Sequence, residues 1–325
     1  MRILALHEDR RGPGAGGGAE SLLRDMAEGL KARGHTVGWW WGEGPIAQAI
    51  EDFQPDIVHV QTIHNWIGLG AARFLQENQI PHIWAIMDYY PYCGGRMLLR
   101  DAQSCPAVEG VCDGCQPVNP EYLPTVNKSF LVSLNRYTKD IYLRNGMRCD
   151  AVVELGVNTE FFHPAKKEAR FITTSAWPEF APKGMHVLSK AIEISGIEVE
   201  LVAHQPREVV AERLAGASVF VFPSIYQETW GLCLNEAMAA GCACIASDVA
   251  GARAQIEPGV TGILVPPNDA EALAKAMQVL HKNEVLQQRL GEAARKHVEA
   301  DHTLSAMAER WEEVYQEVLN HGWKV

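Results

Sequence analysis

Short apolar runs, each followed by a longer stretch with apolar residues at helical spacing, recur along almost the whole chain of 325 residues. A strand of a parallel sheet reads as an unbroken apolar run because both of its faces are covered. The runs at Arg2–Leu6, Thr36–Trp41, Ile57–Val60, His82–Met87, Phe130–Ser133 and Ala151–Val153 fit that description. The helical stretches between them have the length a parallel crossover needs. The first stretch carries Leu22, Leu23, Met26, Ala27 and Leu30 on one face and stops at Gly34, a residue suited to a left-handed helix end. Strand and helix in alternation predict a doubly wound parallel sheet.

The pattern then starts again. Phe171–Ser175, Val199–Val202, Val219–Phe222, Ala243–Ala246 and Gly262–Val265 predict a second set of buried strands. Between the two sets, from Gly156 to Pro164, the chain turns polar and meets a proline. The expected class is therefore α/β, with one Rossmann-like domain over residues 1–155 and a second over 156–300. A C-terminal helix over 301–325, striped with Met307, Trp311, Val314, Tyr315 and Val318, is expected to pack back toward the first domain. Two such sheets with their carboxyl ends facing a shared cleft would place a ligand in that cleft.

Composition narrows the functional classes. With 47% hydrophobic and 21% charged residues the chain can fill two cores. A net charge of -11 argues against a nucleic-acid partner, because phosphate backbones attract basic faces. The apolar run Ile3–Leu6 is far shorter than the core of a signal peptide. No segment approaches the roughly 20 apolar residues that span a bilayer. The expectation is a cytoplasmic protein without a transmembrane segment, with peripheral association at the inner membrane face left open.

The chemistry concentrates between Phe222 and Gly241. A strand ends at Phe222, a loop follows, and a helix is expected from about Gly231 to Gly241. The amides of Trp230, Gly231 and Leu232 then lie at a helix N-terminus, where free N–H groups and the helix dipole favour an anion such as a phosphate. Glu228 falls in the loop and Glu236 in the helix. An ionised carboxylate accepts two hydroxyl hydrogen bonds, which suits a sugar or ribose. Taken singly, each glutamate reads as a solvated charge; placed together beside an amide-rich helix start, they point to a site.

Glu228 and Glu236 resemble the E-x7-E motif of the family 4 retaining glycosyltransferases. Gly251 and the segment Glu257–Asp269 look like the segment that closes that family's donor domain. Gly17-Gly18-Ala19-Glu20 and Arg33–Val37 resemble its N-terminal signature, and Leu155–Pro164 its interdomain segment. The resemblance implies a GT-B enzyme of glycan biosynthesis. It would take a sugar from a UDP- or GDP-linked donor with retention at the anomeric carbon and without a catalytic metal or cofactor. The acceptor class, whether glycan, lipid-linked sugar, small molecule or protein, is left open. By the same resemblance Lys183 neutralises the diphosphate leaving group and Glu228 holds the donor sugar. Glu236 would hold the ribose, and the amides of Trp230, Gly231 and Leu232 would meet the distal phosphate. Gly17 and Gly18 would let their loop approach donor and acceptor closely, where a Cβ would obstruct it.

The sequence also departs from that family. The stretch from Thr174 to Lys183 has no arginine, so one cation usual at the diphosphate is missing. Losing such a donor typically removes about 2.7–4 kcal/mol of transition-state stabilisation. Arg253, in the following loop, is the candidate substitute. Met87-Asp88 stands where many relatives have His-Asp, Ala250 and Ala254 replace a glycine and an acid, and Leu201–Arg207 runs almost directly into the next helix. These departures keep two alternatives in view: a weakened, glycosyltransferase-like binding or scaffold protein, and a nucleotide-sugar epimerase or hydrolase on the same fold.

Of eight cysteines, four crowd into one stretch with the spacing Cys93-x11-Cys105-x6-Cys112-x2-Cys115. Two cysteines separated by two residues can aim both thiolates at one ion, and two more complete a tetrahedral zinc site. Structural zinc, reduced thiols and two disulfides are the readings open for this loop. His59 and His64 follow a buried strand and read as structural, as do Trp39, Trp40 and Trp41.

Overall fold

The computed structural model describes residues 1–7, 18–42, 44–61, 68–93, 95, 97–100, 103–109, 119–176 and 178–322. The chain forms two compact units. Unit 1 comprises Met1–Leu98, Cys105–Leu155 and Leu304–Val325; unit 2 comprises Leu99–Ser104 and Gly156–Thr303.

In unit 1, β1 (Arg2–His7), α1 (Gly18–Ala32), β2 (Thr36–Trp40), α2 (Ile46–Phe53), β3 (Ile57–Gln61), α3 (Gly68–Glu77) and β4 (His82–Ile86) follow one another as alternating strand and helix. A hairpin of two short strands, β5 (Leu99–Arg100) and β6 (Gln103–Ser104), comes next and clusters with unit 2. Unit 1 resumes with α4 (Tyr122–Val126), β7 (Phe130–Ser133), α5 (Arg136–Arg144) and β8 (Ala151–Val152). Its six strands pair in the order β2-β1-β3-β4-β7-β8, all parallel. β1, β3 and β4 hold Ile3, Leu4, Leu6, Ile57, Val58 and Ile83 essentially free of solvent, and Leu22, Leu23 and Met26 of α1 are equally buried. Burying each such side chain contributes about 1.5–3 kcal/mol, which is what keeps a short helix on the sheet.

Unit 2 repeats the scheme with β9 (Glu168–Ser175), α6 (Met185–Ser195), β10 (Val199–Ala203), α7 (Arg207–Gly216), β11 (Ala217–Phe222), α8 (Leu232–Ala239), β12 (Ala243–Ser247), α9 (Ala250–Gln255) and β13 (Gly262–Val265). The helices α10 (Ala270–His281) and α11 (Glu284–Asp301) complete it. Its strands pair in the order β10-β9-β11-β12-β13, again all parallel. Alternate residues of β11 and β12 face opposite cores. Phe220, Phe222, Cys244 and Ala246 pack with Leu234 and Met238 of α8, while Val219, Val221 and Ile245 pack with Met277 and Leu280 of α10. β10 is an edge strand, and Leu201 on it is half exposed.

The chain then re-enters unit 1 as α12 (Leu304–His321), whose Met307, Trp311, Val314, Tyr315 and Val318 are buried. His59 of β3 meets this helix: its Nδ1 lies 2.7 Å from the Tyr315 hydroxyl, and its ring packs edge-on to Trp311. Trp39 and Trp41 stack on each other with ring centroids 5.5 Å apart. His64 lies outside the described residues. Among those residues no helix is long and apolar enough to cross a membrane.

Candidate functional site

In unit 2 the chain leaves β9, forms β10 on one side of it, and returns to form β11 on the other. That reversal is a topological switch point, where the loops beyond the strand ends separate and leave room for a ligand. Lys183 ends a short 3-10 turn, Ala181–Lys183, that follows β9. Glu228 sits in the loop after β11, ahead of α8.

The two loops are locked together. The Ile225 amide donates to the Pro182 carbonyl at 2.9 Å. Gly184 follows Lys183 with φ +73°, and a Cβ there would lie 1.9 Å from the Pro223 carbonyl oxygen. Glycine is therefore required twice over, by the left-handed backbone and by the close approach. The lock brings Lys183 Nζ within 2.6 Å of Glu228 Oε1. Ser224 Oγ lies 2.9 Å from the same carboxylate oxygen and 3.2 Å from the Pro182 carbonyl, so its single proton is shared between two acceptors. Tyr226 places its ring under the ammonium, 5.3 Å from Nζ to the centroid.

The electrostatics follow from burial. Glu228 is 5% exposed, and Lys183 keeps about a quarter of its side chain, 26%, accessible. Burial by itself would lower the Lys183 pKa, but the Glu228 carboxylate outweighs it and the ammonium is held above the ordinary lysine value. Burial, reinforced by the Glu228 charge, raises the Tyr226 hydroxyl. Cys233, in the first turn of α8, has its thiol pushed up to about 12, first by burial and then by the charge of Glu228. Lys183 and Glu236 also act on that thiol, so Lys183, Glu228 and Glu236 share one neighbourhood around it.

The helix α8 begins one residue after the expected Gly231 and ends at Ala239. Gly231 caps it with a left-handed backbone, φ +91°. Cys233 of this first turn is the thiol that feels both members of the ion pair, and the free N–H groups of a helix start suit an anion. Trp230 is buried, its indole tilted on His302 at 5.4 Å, and its Nε1 has no partner among the described residues. Arg253 lies on α9, 44% exposed, with its Nε 2.7 Å from Asp248 Oδ1. A salt bridge to its own strand end holds that guanidinium.

Several residues of the framework give no signal in the sequence. Ser224, Tyr226, Gln227 and Gln255 are loop or helix residues of types that usually face water. Only the folded backbone turns them inward. In unit 1 the matching switch point lies between β1 and β3. There His7 Nε2 is 3.3 Å from Glu20 Oε1, and both side chains are buried. Gly18 opens α1, while Gly17 lies outside the described residues. Cys93 and Cys105, half-buried and buried respectively, form no disulfide among the described residues; Cys112 and Cys115 lie outside those residues.

Two parallel-sheet, Rossmann-like units make this a GT-B fold. Sucrose-phosphate synthase from Thermosynechococcus elongatus matches 98% of this chain and 99% of its own, with a TM-score of 0.75 at 17% identity. HepE from Anabaena, in complex with UDP and glucose, matches 98% of this chain and 100% of its own, with a TM-score of 0.72 at 15% identity. Within that fold, residues 183–297 match the family model described as glycosyl transferases group 1. The match opens at Lys183 and takes in Glu228, Glu236 and Arg253. A phosphatidyl-myo-inositol mannosyltransferase from Mycobacterium leprae is 37% identical over 115 residues, which is 35% of this chain and 30% of the relative. A D-inositol 3-phosphate glycosyltransferase from Streptomyces avermitilis is 34% identical over 121 residues, 36% of this chain and 25% of the relative. The chain therefore spans less than a third of the length of these curated relatives.

Proposed function

We propose that this chain is a glycosyltransferase that moves a sugar from a nucleoside diphosphate donor, UDP- or GDP-linked, to an acceptor hydroxyl with retention. The observation that carries the reading is the Lys183–Glu228 pair, 2.6 Å apart beside the start of α8 and inside the stretch that matches the group 1 model. The UDP and glucose bound to HepE support a nucleotide-sugar as the donor. Unit 1, with His7 and Glu20 buried at its own switch point, is the side that would read the acceptor.

In the reaction the bond between the anomeric carbon and the diphosphate oxygen breaks, and its electron pair leaves with the diphosphate. The acceptor oxygen forms the new bond, and its proton passes to the departing phosphate or to solvent. Charge therefore grows on the diphosphate as the sugar departs. Lys183 and the amides at Trp230, Gly231 and Leu232 are fixed donors aimed at that charge, and they lower the barrier because they need no reorientation. Glu228 orients the donor sugar through its hydroxyls, and Glu236 holds the ribose. In this reading the leaving group's countercharge comes from the protein, so transfer continues in EDTA.

A panel of nucleotide-sugars with mixed acceptors, followed by NMR of the product anomer, tests the reading. A product with the donor's anomeric configuration is expected, and an inverted product overturns retention. Donor bound but never transferred would support the scaffold alternative instead. Sugar released without an acceptor, or an epimerised donor, would support the hydrolase or epimerase.

For the cysteine loop we propose a structural zinc on Cys93, Cys105, Cys112 and Cys115, the four-thiolate set that a closed tetrahedral site uses. Metal analysis of protein purified without added zinc should find about one zinc per chain. Protein that is folded and zinc-free overturns this.

A further inference from the structure

Gln255, at the end of α9, is 1% exposed and takes no part in the ion pair at Lys183. Its Nε2 donates to the Trp230 carbonyl at 2.6 Å and to the Gly251 carbonyl at 3.1 Å. Both partners are acceptors, so only the amide nitrogen can face them, and the orientation of the side chain is fixed. Its Oε1 is buried without a partner among the described residues. A buried polar atom left in that state is unfavourable, and an apolar residue would avoid it. What the glutamine supplies is a donor shared by the Trp230 and Gly251 carbonyls.

The peptide from Trp230 to Gly231 is trans, so its carbonyl and its N–H point in opposite directions. Holding the carbonyl against Gln255 turns the Gly231 N–H away from α9, at the residue that caps α8. The rest of the loop is docked on α9 as well. The Ala250 amide donates to Gln227 Oε1 at 2.9 Å, and the Gly251 amide to the Glu228 carbonyl at 2.8 Å. A Cβ at Gly251 would lie 2.2 Å from the Trp230 carbonyl oxygen, so loop and helix are in direct contact.

We propose that Gln255 is a positioning residue that fixes the Trp230–Gly231 peptide so that the Gly231 N–H meets the distal phosphate of a nucleoside diphosphate. The inference rests on the donor reading above. Its test is calorimetric titration of UDP and UMP, or of GDP and GMP if the wild type prefers them, into full-length wild type, Gln255→Leu and Gln255→Glu. In Gln255→Leu, which keeps the side chain's bulk and removes the donor, diphosphate affinity should fall about tenfold. Monophosphate affinity should not change, since that ligand has no distal phosphate. Gln255→Glu sets a carboxylate against two carbonyls, so its diphosphate affinity should be poor near pH 8 and recover toward about pH 5 as the buried acid gains a proton and can donate. The wild type should show no such recovery. An unchanged diphosphate affinity, or equal losses for both ligands, overturns the positioning role and leaves the donor reading intact. If Gln255→Leu fails to fold, a pH-independent affinity in Gln255→Glu overturns it. A wild type that binds none of UDP, GDP and ADP overturns both.

Discussion

Lys183 is useful because it is both partly reachable and permanently charged. Burial pulls its pKa down and Glu228 pushes it up further, so the folded value exceeds the unfolded one. A base raised on folding keeps its full electrostatic contribution below the unfolded pKa and loses it only as pH rises through the folded value. The pH profile of kcat/KM should therefore show no alkaline limb from Lys183 below about pH 10; a limb near neutrality that vanishes in Lys183→Ala would contradict this. Lys183→Ala should lower kcat about 100- to 1,000-fold, as expected for a fixed donor aimed at the leaving group. The two glutamates could be singled out because carboxylates at that spacing around a strand–loop–helix carry chemical meaning, whereas Lys183 was singled out only through the family resemblance. Ser224 and Gln255 were not, because a serine after a proline and a glutamine in a helix have no local signature. Arg253 was expected to substitute for a missing cation, but its salt bridge to Asp248 depends on the turn after β12 and could not be read from the sequence.

At the scale of elements, the eleven strands described in the two main sheets stood out as apolar runs, most clearly the central ones, which are covered on both faces, and less so an edge strand such as β10, where Leu201 is half exposed. Their ends moved by a residue or a few, as at β2, which stops at Trp40. The hairpin β5–β6 went unseen, since strands of two residues leave no period to detect. The join between the β9 and β11 loops was also invisible, being a long-range contact between glycine and backbone. Gly184→Ala puts a Cβ 1.9 Å from the Pro223 carbonyl oxygen and strains a left-handed residue. It should abolish tight diphosphate binding and lower the melting temperature of unit 2, and a variant with wild-type binding would contradict the lock. The β3 and β4 strands carry a different signal. Burial lowers His59 to about 3 and His82 to about 4, against 6.5 for a free imidazole. Below about pH 6.5 the unfolded chain takes up protons that these buried rings refuse, so stability falls with pH until the folded values are reached. Melting temperature should drop on acidification across that window, and less steeply in His59→Gln. Parallel curves for the two proteins would contradict the assignment.

For the molecule as a whole, two parallel-sheet units were foreseeable because the strand–helix alternation restarts after Gly156, and a helix striped with Trp311 and Tyr315 needs a core to cover it. Which sugar, base and acceptor the proposed transfer would use has no such signature, since recognition of a small ligand rests on a few placed polar groups. Under the proposed function, unit 2 holds a nucleoside diphosphate between the Lys183 ammonium, the amides at the start of α8 and the carboxylates of Glu228 and Glu236. Titration calorimetry of UDP, GDP and ADP against the wild type and Glu236→Gln is the most direct measurement of it. One of the three should bind at a single site in the wild type, and more weakly in the variant; no binding by any of them at about millimolar concentration would contradict the account.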